Sequence, residues 1–553
     1  MSEPLLTVKD LVVDFRTELG DVRALDKVSF DVPRDCITAV VGESGSGKTV
    51  TGNSIMRLLP ESAHVTGEIV LHPRGEEPIS ISSLAERDPR LRSLRGGRVS
   101  MVFQEPMTAL SPVHRIGDQV AEAVLCHRRV SRETAWNEAA AMLEQVGLTD
   151  IEKRMRMYPF EFSGGMRQRV IIAIALICHP QLLICDEPTT ALDVTIQAEI
   201  LVLIRSLQRK LKNSVLFITH DLGVVAQIAD RVVVMYDGQV VETGSVRQVL
   251  KNPQHSYTRH LLASMPDAVT DPCSDFPVNR LLSVENLSKS FAGQEVVRSV
   301  SFDVDESTTL GIVGESGSGK TTLVRSILRA IDPDSGAVRY NSRDGWRELD
   351  GLTPRQLLPL RREIQMIFQD PFASLNPRMT VQAILEEPLI IHDLGDRAWR
   401  KRRVAEMLQK VQLDPGVASR FPHAFSGGQR QRIGIARALI LEPRLVVCDE
   451  SVSALDVSVQ AQILDLLADL QAELGFTYLF VAHDLRVVRD FCDHVLVMYA
   501  GSVVEQGPVE EIFANPKHDY TRLLLSAIPL PDPDEKLEPL DRGALNLGAG
   551  LGA

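Results

Sequence analysis

Two lysines, each the last but one residue of a GESGSGKT run at residues 42–49 and 314–321, are the side chains best placed to do chemistry in this chain. In a GxxxxGK[ST] run the glycines let backbone N–H groups converge on phosphate oxygens, and the helix that follows presents its positive end. Here the glycines are Gly42, Gly45 and Gly47, then Gly314, Gly317 and Gly319, with Ser44, Ser46, Ser316 and Ser318 between them. Lys48 and Lys320 would meet the outer phosphates of a nucleotide, and Thr49 and Thr321 would bind Mg²⁺. A single run of this kind can be a mere strand-to-helix turn; two in matching context argue for phosphate sites.

The context does match. Lys48 and Lys320 stand 272 positions apart and Gln104 and Gln369 265 apart. Ser163 and Ser426, Glu187 and Glu450, and His220 and His483 are each 263 apart. In LLICDE and LVVCDE an apolar strand delivers two carboxylates to its polar end. Asp186 and Asp449 are the natural Mg²⁺ partners, and Glu187 and Glu450 can orient or deprotonate the water that attacks a terminal phosphate. His220 and His483 end further apolar strands, 33 positions after each glutamate, which favours a polar contact to that phosphate. Gln104 in VFQEP and Gln369 in IFQDP are candidates to ligate Mg²⁺ and so report nucleotide state.

These groups need rigid elements to position them. Each half opens with alternating strands, 6–15 and 281–291, then a short apolar strand, 37–41 and 310–313, running into the glycine loop. Helices are expected over 48–59 and 320–330, buried strands over 182–185 and 445–448, helices over 194–211 and 457–474, and strands over 215–219 and 478–482. Alternating strands and helices imply a mostly parallel sheet with helices on its faces. Residues 132–146 and 397–411 read as charged helical inserts, and Asp237-Gly238 and Ala500-Gly501 as hairpin turns. The proline-bearing stretch 267–280 suits a linker, and 531–553, rich in Pro, Asp and Gly, is expected to be disordered.

Composition narrows the classes. At 553 residues the chain exceeds one hydrophobic core, so two domains are expected. With 60 basic and 73 acidic residues the net charge is −13, which argues against a nucleic-acid partner. The most apolar run, 170–185, is broken by His179 and Pro180 and is too short to span a bilayer. The opening MSEPLLTVKD lacks a basic-then-apolar export signal. Seven cysteines without a CxxC pair argue for a reducing compartment and against a disulfide frame or zinc ribbon.

Taken together these residues resemble the nucleotide-binding subunits of ABC transporters over nearly the whole chain. FSGGM at 162–166 and FSGGQ at 425–429 match the family's signature motif, with Ser163, Gly164, Gly165, Ser426, Gly427 and Gly428 as its nucleotide contacts. Ala191-Leu192-Asp193 and Ala454-Leu455-Asp456 match its D-loop, which brings in Asp193 and Asp456. Phe15 and Phe291 match the aromatic that stacks on adenine, Phe291 the better of the two. The departures are Met166 in place of glutamine and Ser451 where the first half has Pro188. The resemblance implies an α/β fold of two tandem P-loop NTPase domains, each a RecA-like core with a helical and an antiparallel β subdomain. It also implies ATP and Mg²⁺ as ligands, and composite sites in which each ATP lies between one half's phosphate loop and the other half's signature motif.

The segments NPQHSYTRHLLASMP at 252–266 and NPKHDYTRLLLSAIP at 515–529 are similar to the tail of the peptide and nickel importer branch. The expected domains are therefore 1–266 and 281–530, each ending in such a tail. The branch's cysteine-rich cluster motif is missing, so no iron-sulfur cluster is expected. The implied activity is ATP hydrolysis that powers import. The implied partners are two transmembrane permeases and an extracytoplasmic solute-binding protein, with one fused chain per transporter, peripheral on the cytoplasmic face of a bacterial inner membrane. Peptides are the expected cargo; oligosaccharides, nickel chelates and glutathione are alternatives within the branch. A twin-ATPase translation factor would carry a long basic linker, and a DNA-repair ATPase zinc-binding cysteines.

Overall fold

The computed structural model describes residues 4–540 apart from 18–19, 86–87, 105–108, 190–191, 264–278, 369–373, 451–456, 536 and 538–539. It divides into two units, Met1–Ser264 with Pro529–Pro539, and Met265–Ile528 with Leu540–Ala553. Among the described residues the first unit holds ten strands: β1 (Pro4–Thr17), β2 (Gly20–Pro33), β3 (Ile37–Val41), β4 (Ala63–Leu71), β5 (Ile79–Ser80), β6 (Val99–Val102), β7 (Leu182–Asp186), β8 (Ser214–Thr219), β9 (Arg231–Tyr236) and β10 (Gln239–Ser245). The second repeats them as β11 (Arg280–Phe291), β12 (Gln294–Asp305), β13 (Thr309–Val313), β14 (Ser335–Ser342), β15 (Gly345–Glu348), β16 (Ile364–Ile367), β17 (Leu445–Asp449), β18 (Thr477–Val481), β19 (His494–Tyr499) and β20 (Ser502–Pro508).

Each unit has two sheets. In the first unit an antiparallel sheet runs β2-β1-β4-β5 and a six-stranded sheet runs β10-β9-β3-β8-β7-β6; in the second the orders are β12-β11-β14-β15 and β16-β17-β18-β13-β19-β20. The six-stranded sheets are parallel except for the edge hairpin, β9-β10 or β19-β20. Their central strands are buried throughout and mostly apolar because both faces are covered. Leu182 and Ile184 face one way, into a cluster with Leu6, Leu11 and Ile69 of the antiparallel sheet. Leu183 and Cys185 face the other way, among Val170, Ile172, Ile200 and Phe217. In the second unit Leu445 and Val447 part from Val446 and Cys448 in the same manner.

The helices after the glycine loops run Lys48–Met56 and Lys320–Ile327, a turn shorter than expected, and the inserts form helices at Arg132–Gln145 and Arg397–Lys410. Both hairpins close through two residues with positive φ, 47° and 73° at Asp237 and Gly238, 46° and 88° at Ala500 and Gly501. That backbone matches the twist of the flanking strands.

Residues 530–537, which overlap the start of the stretch expected to be disordered, contact the first unit. Gln227 Nε2 donates to the carbonyls of Leu530 (2.8 Å) and Asp532 (3.3 Å), while its Oε1 accepts the Leu537 N–H at 2.7 Å. Lys251 pairs with Asp532 at 2.6 Å and Arg247 with Asp534. Residues 541–553 and the linker over 267–278 lie outside the described residues.

Phe217, fully buried in β8, should be a point where packing dominates: Phe217→Ala is expected to cost about 3–5 kcal/mol of the first unit's unfolding free energy. Val113→Ala, at a side chain 73% exposed, should stay within about 0.5 kcal/mol. Chemical denaturation of both variants, followed by circular dichroism, checks the contrast.

Candidate functional site

Strand register brings the candidate residues to one sheet edge. Val41 pairs with Thr219 and Asp186 with Ile218, so the glycine loop, the DE pair and His220 all emerge at the carboxyl ends of β3, β7 and β8. In the second unit Ile312 and Asp449 both lie beside Val481. Ligand sites of open α/β sheets form at such ends.

The glycine loop is shaped by what surrounds it. A Cβ on Gly42 would lie 2.1 Å from the Met235 carbonyl oxygen, and one on Gly314 2.2 Å from that of Met498, so neither position admits a side chain. Gly45 and Gly317 have open space instead, and positive φ is what asks for glycine there. Gly47 and Gly319, at φ 95° and 101°, begin the helices led by Lys48 and Lys320. Lys48 Nζ donates to the carbonyls of Gly42 (2.6 Å) and Glu43 (2.7 Å), and Lys320 Nζ to those of Gly314 (2.7 Å) and Glu315 (2.9 Å). Each ammonium is thereby buried against its own loop with Ser44 and Ser46, or Ser316 and Ser318, in the arch.

Thr49 Oγ1 donates to Asp186 Oδ1 at 3.0 Å, and Thr321 Oγ1 to Asp449 Oδ1 at 3.1 Å. A hydroxyl and a carboxylate in contact beside a phosphate loop are the hard oxygen donors that Mg²⁺ prefers, so these pairs fit the ion. Burial pushes the Asp186 carboxyl up to about 6, against the hydrogen bond from Thr49 and with the Glu187 charge adding to the rise. Burial raises Asp449 as well, opposed by Thr321 and by Arg325, whose guanidinium lies 3.9 Å away.

Glu187 and Glu450 sit in left-handed backbone, φ 44° and 46°, an uncommon conformation for a residue with a Cβ. Their N–H groups donate to the carbonyls of Ile218 (2.9 Å) and Val481 (3.0 Å), which pins the kink. Glu187 is held through both oxygens: His220 Nδ1 is 3.0 Å from Oε1, and Gln104 Nε2 donates to Oε2 at 2.9 Å. Gln104 was expected at the metal and His220 at the phosphate; here both converge on the carboxylate. In the second unit His483 Nδ1 is 4.0 Å from Glu450 Oε2, and Gln369 lies outside the described residues.

The signature segments open helices Gly164–Leu176 and Gly427–Leu439. Ser163 Oγ accepts the Met166 N–H and Ser426 Oγ that of Gln429, each at 3.4 Å. Gln429 Oε1 also accepts the Ser426 N–H at 3.1 Å, a return bond that Met166 cannot make. Gly164 and Gly427 have room around them, whereas a Cβ on Gly165 would meet Ile196 at 2.6 Å and one on Gly428 would meet Val459 at 2.7 Å. Asp193 is buried just before helix Val194–Leu211; Asp456 lies outside the described residues. Phe291 is exposed with the Lys289 ammonium 5.5 Å from its ring, while Phe15 packs against the core. Two side chains escaped the sequence reading: Tyr257 and Tyr520, whose hydroxyls reach the glycine loops.

The raised Asp186 carboxyl has a measurable sign. Between about pH 4 and 6 the native state holds a proton that the unfolded chain has released, so stability falls as pH rises through that window and stays lower above it. Asp186→Asn cannot ionise but can still accept from Thr49. In urea unfolding without nucleotide it should match wild type at pH 4 and exceed it at pH 7.5 by up to about 3 kcal/mol. Equal stability at pH 7.5 would refute the buried carboxylate as a source of strain.

Known families match where the geometry does. The family described as ABC transporter covers residues 25–190 and 297–453, and that described as Oligopeptide/dipeptide transporter, C-terminal region covers 241–274 and 504–547. The chain is 46% identical over 570 residues to the glutathione import ATP-binding protein GsiA of Salmonella choleraesuis (strain SC-B67), covering 96% of this chain and 90% of that protein. The protein of the same name from Escherichia coli (strain K12) is 45% identical with the same coverage. A chain that repeats the phosphate loop, the DE-bearing strand and the branch-specific C-terminal region at this level of identity belongs to the ABC transporter family, as an ATPase subunit with two ATP-binding domains of the oligopeptide/dipeptide branch.

Proposed function

We propose that this ATPase energises a binding-protein-dependent importer of peptide-like solutes, with Mg²⁺ as its metal. The observation that carries the reading is the pairing of two ABC transporter domains with two copies of the oligopeptide-type C-terminal region. Relatives named for glutathione import support the same solute class, because glutathione is itself a short peptide. The partners are two permeases and a solute-binding protein. Among the described residues no helix is long and apolar enough to cross a membrane, which suits a subunit docked on membrane partners at the cytoplasmic face.

In this reading Lys48 and Lys320 neutralise the outer phosphates while the loop N–H groups hold them. Thr49 with Asp186, and Thr321 with Asp449, would hold Mg²⁺, which supplies charge neutralisation on the phosphate oxygens. Glu187 and Glu450 orient the attacking water and accept its proton. His220 and Gln104 keep the Glu187 carboxylate in one orientation.

Replacing both bases, Glu187→Gln with Glu450→Gln, should leave ATP binding intact and lower turnover by about 10² to 10⁴-fold. Steady-state hydrolysis beside equilibrium ATP binding measures both, and wild-type turnover would defeat the assignment.

Cargo should act at a distance. In vesicles holding this chain with its permeases, the binding protein loaded with glutathione or another short peptide should raise ATP hydrolysis, and neither solute should bind the isolated chain. Stimulation only by an oligosaccharide or a nickel chelate would overturn the peptide reading while leaving the importer ATPase in place.

A further inference from the structure

The Asn-Pro-x-His-x-Tyr-Thr segments have no task in the chemistry above, although both copies are built the same way. In the first unit Glu242 on β10 accepts the backbone N–H groups of Gln254 (2.8 Å) and His255 (3.0 Å). His255 Nδ1 in turn accepts the Tyr257 N–H at 3.2 Å. In the second, Glu505 on β20 accepts those of Lys517 (2.8 Å) and His518 (3.0 Å), and His518 Nδ1 accepts the Tyr520 N–H at 3.1 Å. The start of each C-terminal helix, Ser256–Ala263 and Asp519–Ser526, is thus anchored to the edge hairpin of its own central sheet.

What the anchoring delivers is a tyrosine. Tyr257 packs against Tyr236, the last residue of β9, with ring centroids 4.3 Å apart and planes tilted by 38°, and Tyr520 against Tyr499 of β19 at 4.4 Å and 41°. The hydroxyls then meet the phosphate loops: Glu43 N–H donates to Tyr257 Oη at 3.1 Å, and Glu315 N–H to Tyr520 Oη at 2.9 Å. That N–H belongs to the same peptide group as the Gly42 or Gly314 carbonyl, which accepts from Lys48 or Lys320. One peptide group is therefore gripped at both ends, its oxygen by an ammonium and its nitrogen by a phenol. The ammonium polarises the group and strengthens the second bond, and a peptide flip would break both.

We infer that Tyr257 and Tyr520 are positioning residues for nucleotide binding: the branch-specific C-terminal region holds the first peptide of each phosphate loop, and with it the lysine, in the phosphate-binding arrangement. The inference rests on the loops being ATP sites. A neutral hydrogen bond of ordinary strength converts to an affinity change of about threefold to tenfold.

The test uses the full chain with Tyr257→Phe, Tyr520→Phe and the double variant, which keep the ring contacts and remove only the hydroxyls. Tyr236→Phe serves as the control that alters the same ring pair away from the loop. Binding of ATP with Mg²⁺, read by displacement of a fluorescent ATP analogue, should weaken about threefold to tenfold at the affected site. The KM for ATP should rise to match, with kcat within about twofold of wild type, and Tyr236→Phe should change neither. Unchanged ATP affinity in the double variant overturns the inference, as does a fall in kcat alone, which would mark a merely structural role. Failure of the wild-type chain to bind ATP would count against the nucleotide reading of the loops instead.

Discussion

Burial on both faces is the constraint from which the site follows. The parallel strands at the centre of the first unit are buried along their whole length and mostly apolar, Thr38 and Ser214 apart, so their charged side chains appear only where they end. In-register pairing makes them end together, and the glycine loop, the Asp186-Glu187 pair and His220 leave the sheet at that one edge. The antiparallel sheet and the helices do the covering. Loss of cover on either face would expose strand edges and move the carboxylates relative to the loop, so packing and catalysis rest on the same contacts.

Much of this was legible in the chain, because its strongest signals are local. Continuous apolar runs ending in Asp-Glu or His mark the buried strands, and GESGSGKT requires a loop between strand and helix. Asp237-Gly238 and Ala500-Gly501 give the hairpins. What escaped was either weakly patterned or distant. The strand β4 buries few of its nine residues, and β15 buries none, so alternation had little to show. Gln104 and His220 meet on Glu187 across 83 and 33 positions, a convergence set by sheet topology and invisible to any local window. The tyrosines of the C-terminal segments were plain as a motif, but their reach to the loop depends on how an edge hairpin anchors a helix.

The two halves share a plan and differ in electrostatics. Arg325 approaches Asp449 from the second loop helix, where the first half has Asn53 in the matching place. Asp186 accordingly bears its burial with less compensation than Asp449. The first signature serine lacks the return bond that Gln429 gives its counterpart. Two sites that are alike in residues can thus differ in how firmly each holds its charges.

The left-handed backbone at Glu187 and Glu450 reaches beyond the reaction. Holding a residue with a Cβ there costs about 1–2 kcal/mol per site, which glycine would relieve. Heat-resistant variants of this chain selected without regard to turnover could therefore change Glu187 and Glu450, two of its left-handed non-glycine residues and the ones proposed as general bases. Directed evolution for thermal robustness would need a growth or transport screen alongside it, or it would deliver a sturdier protein that no longer works.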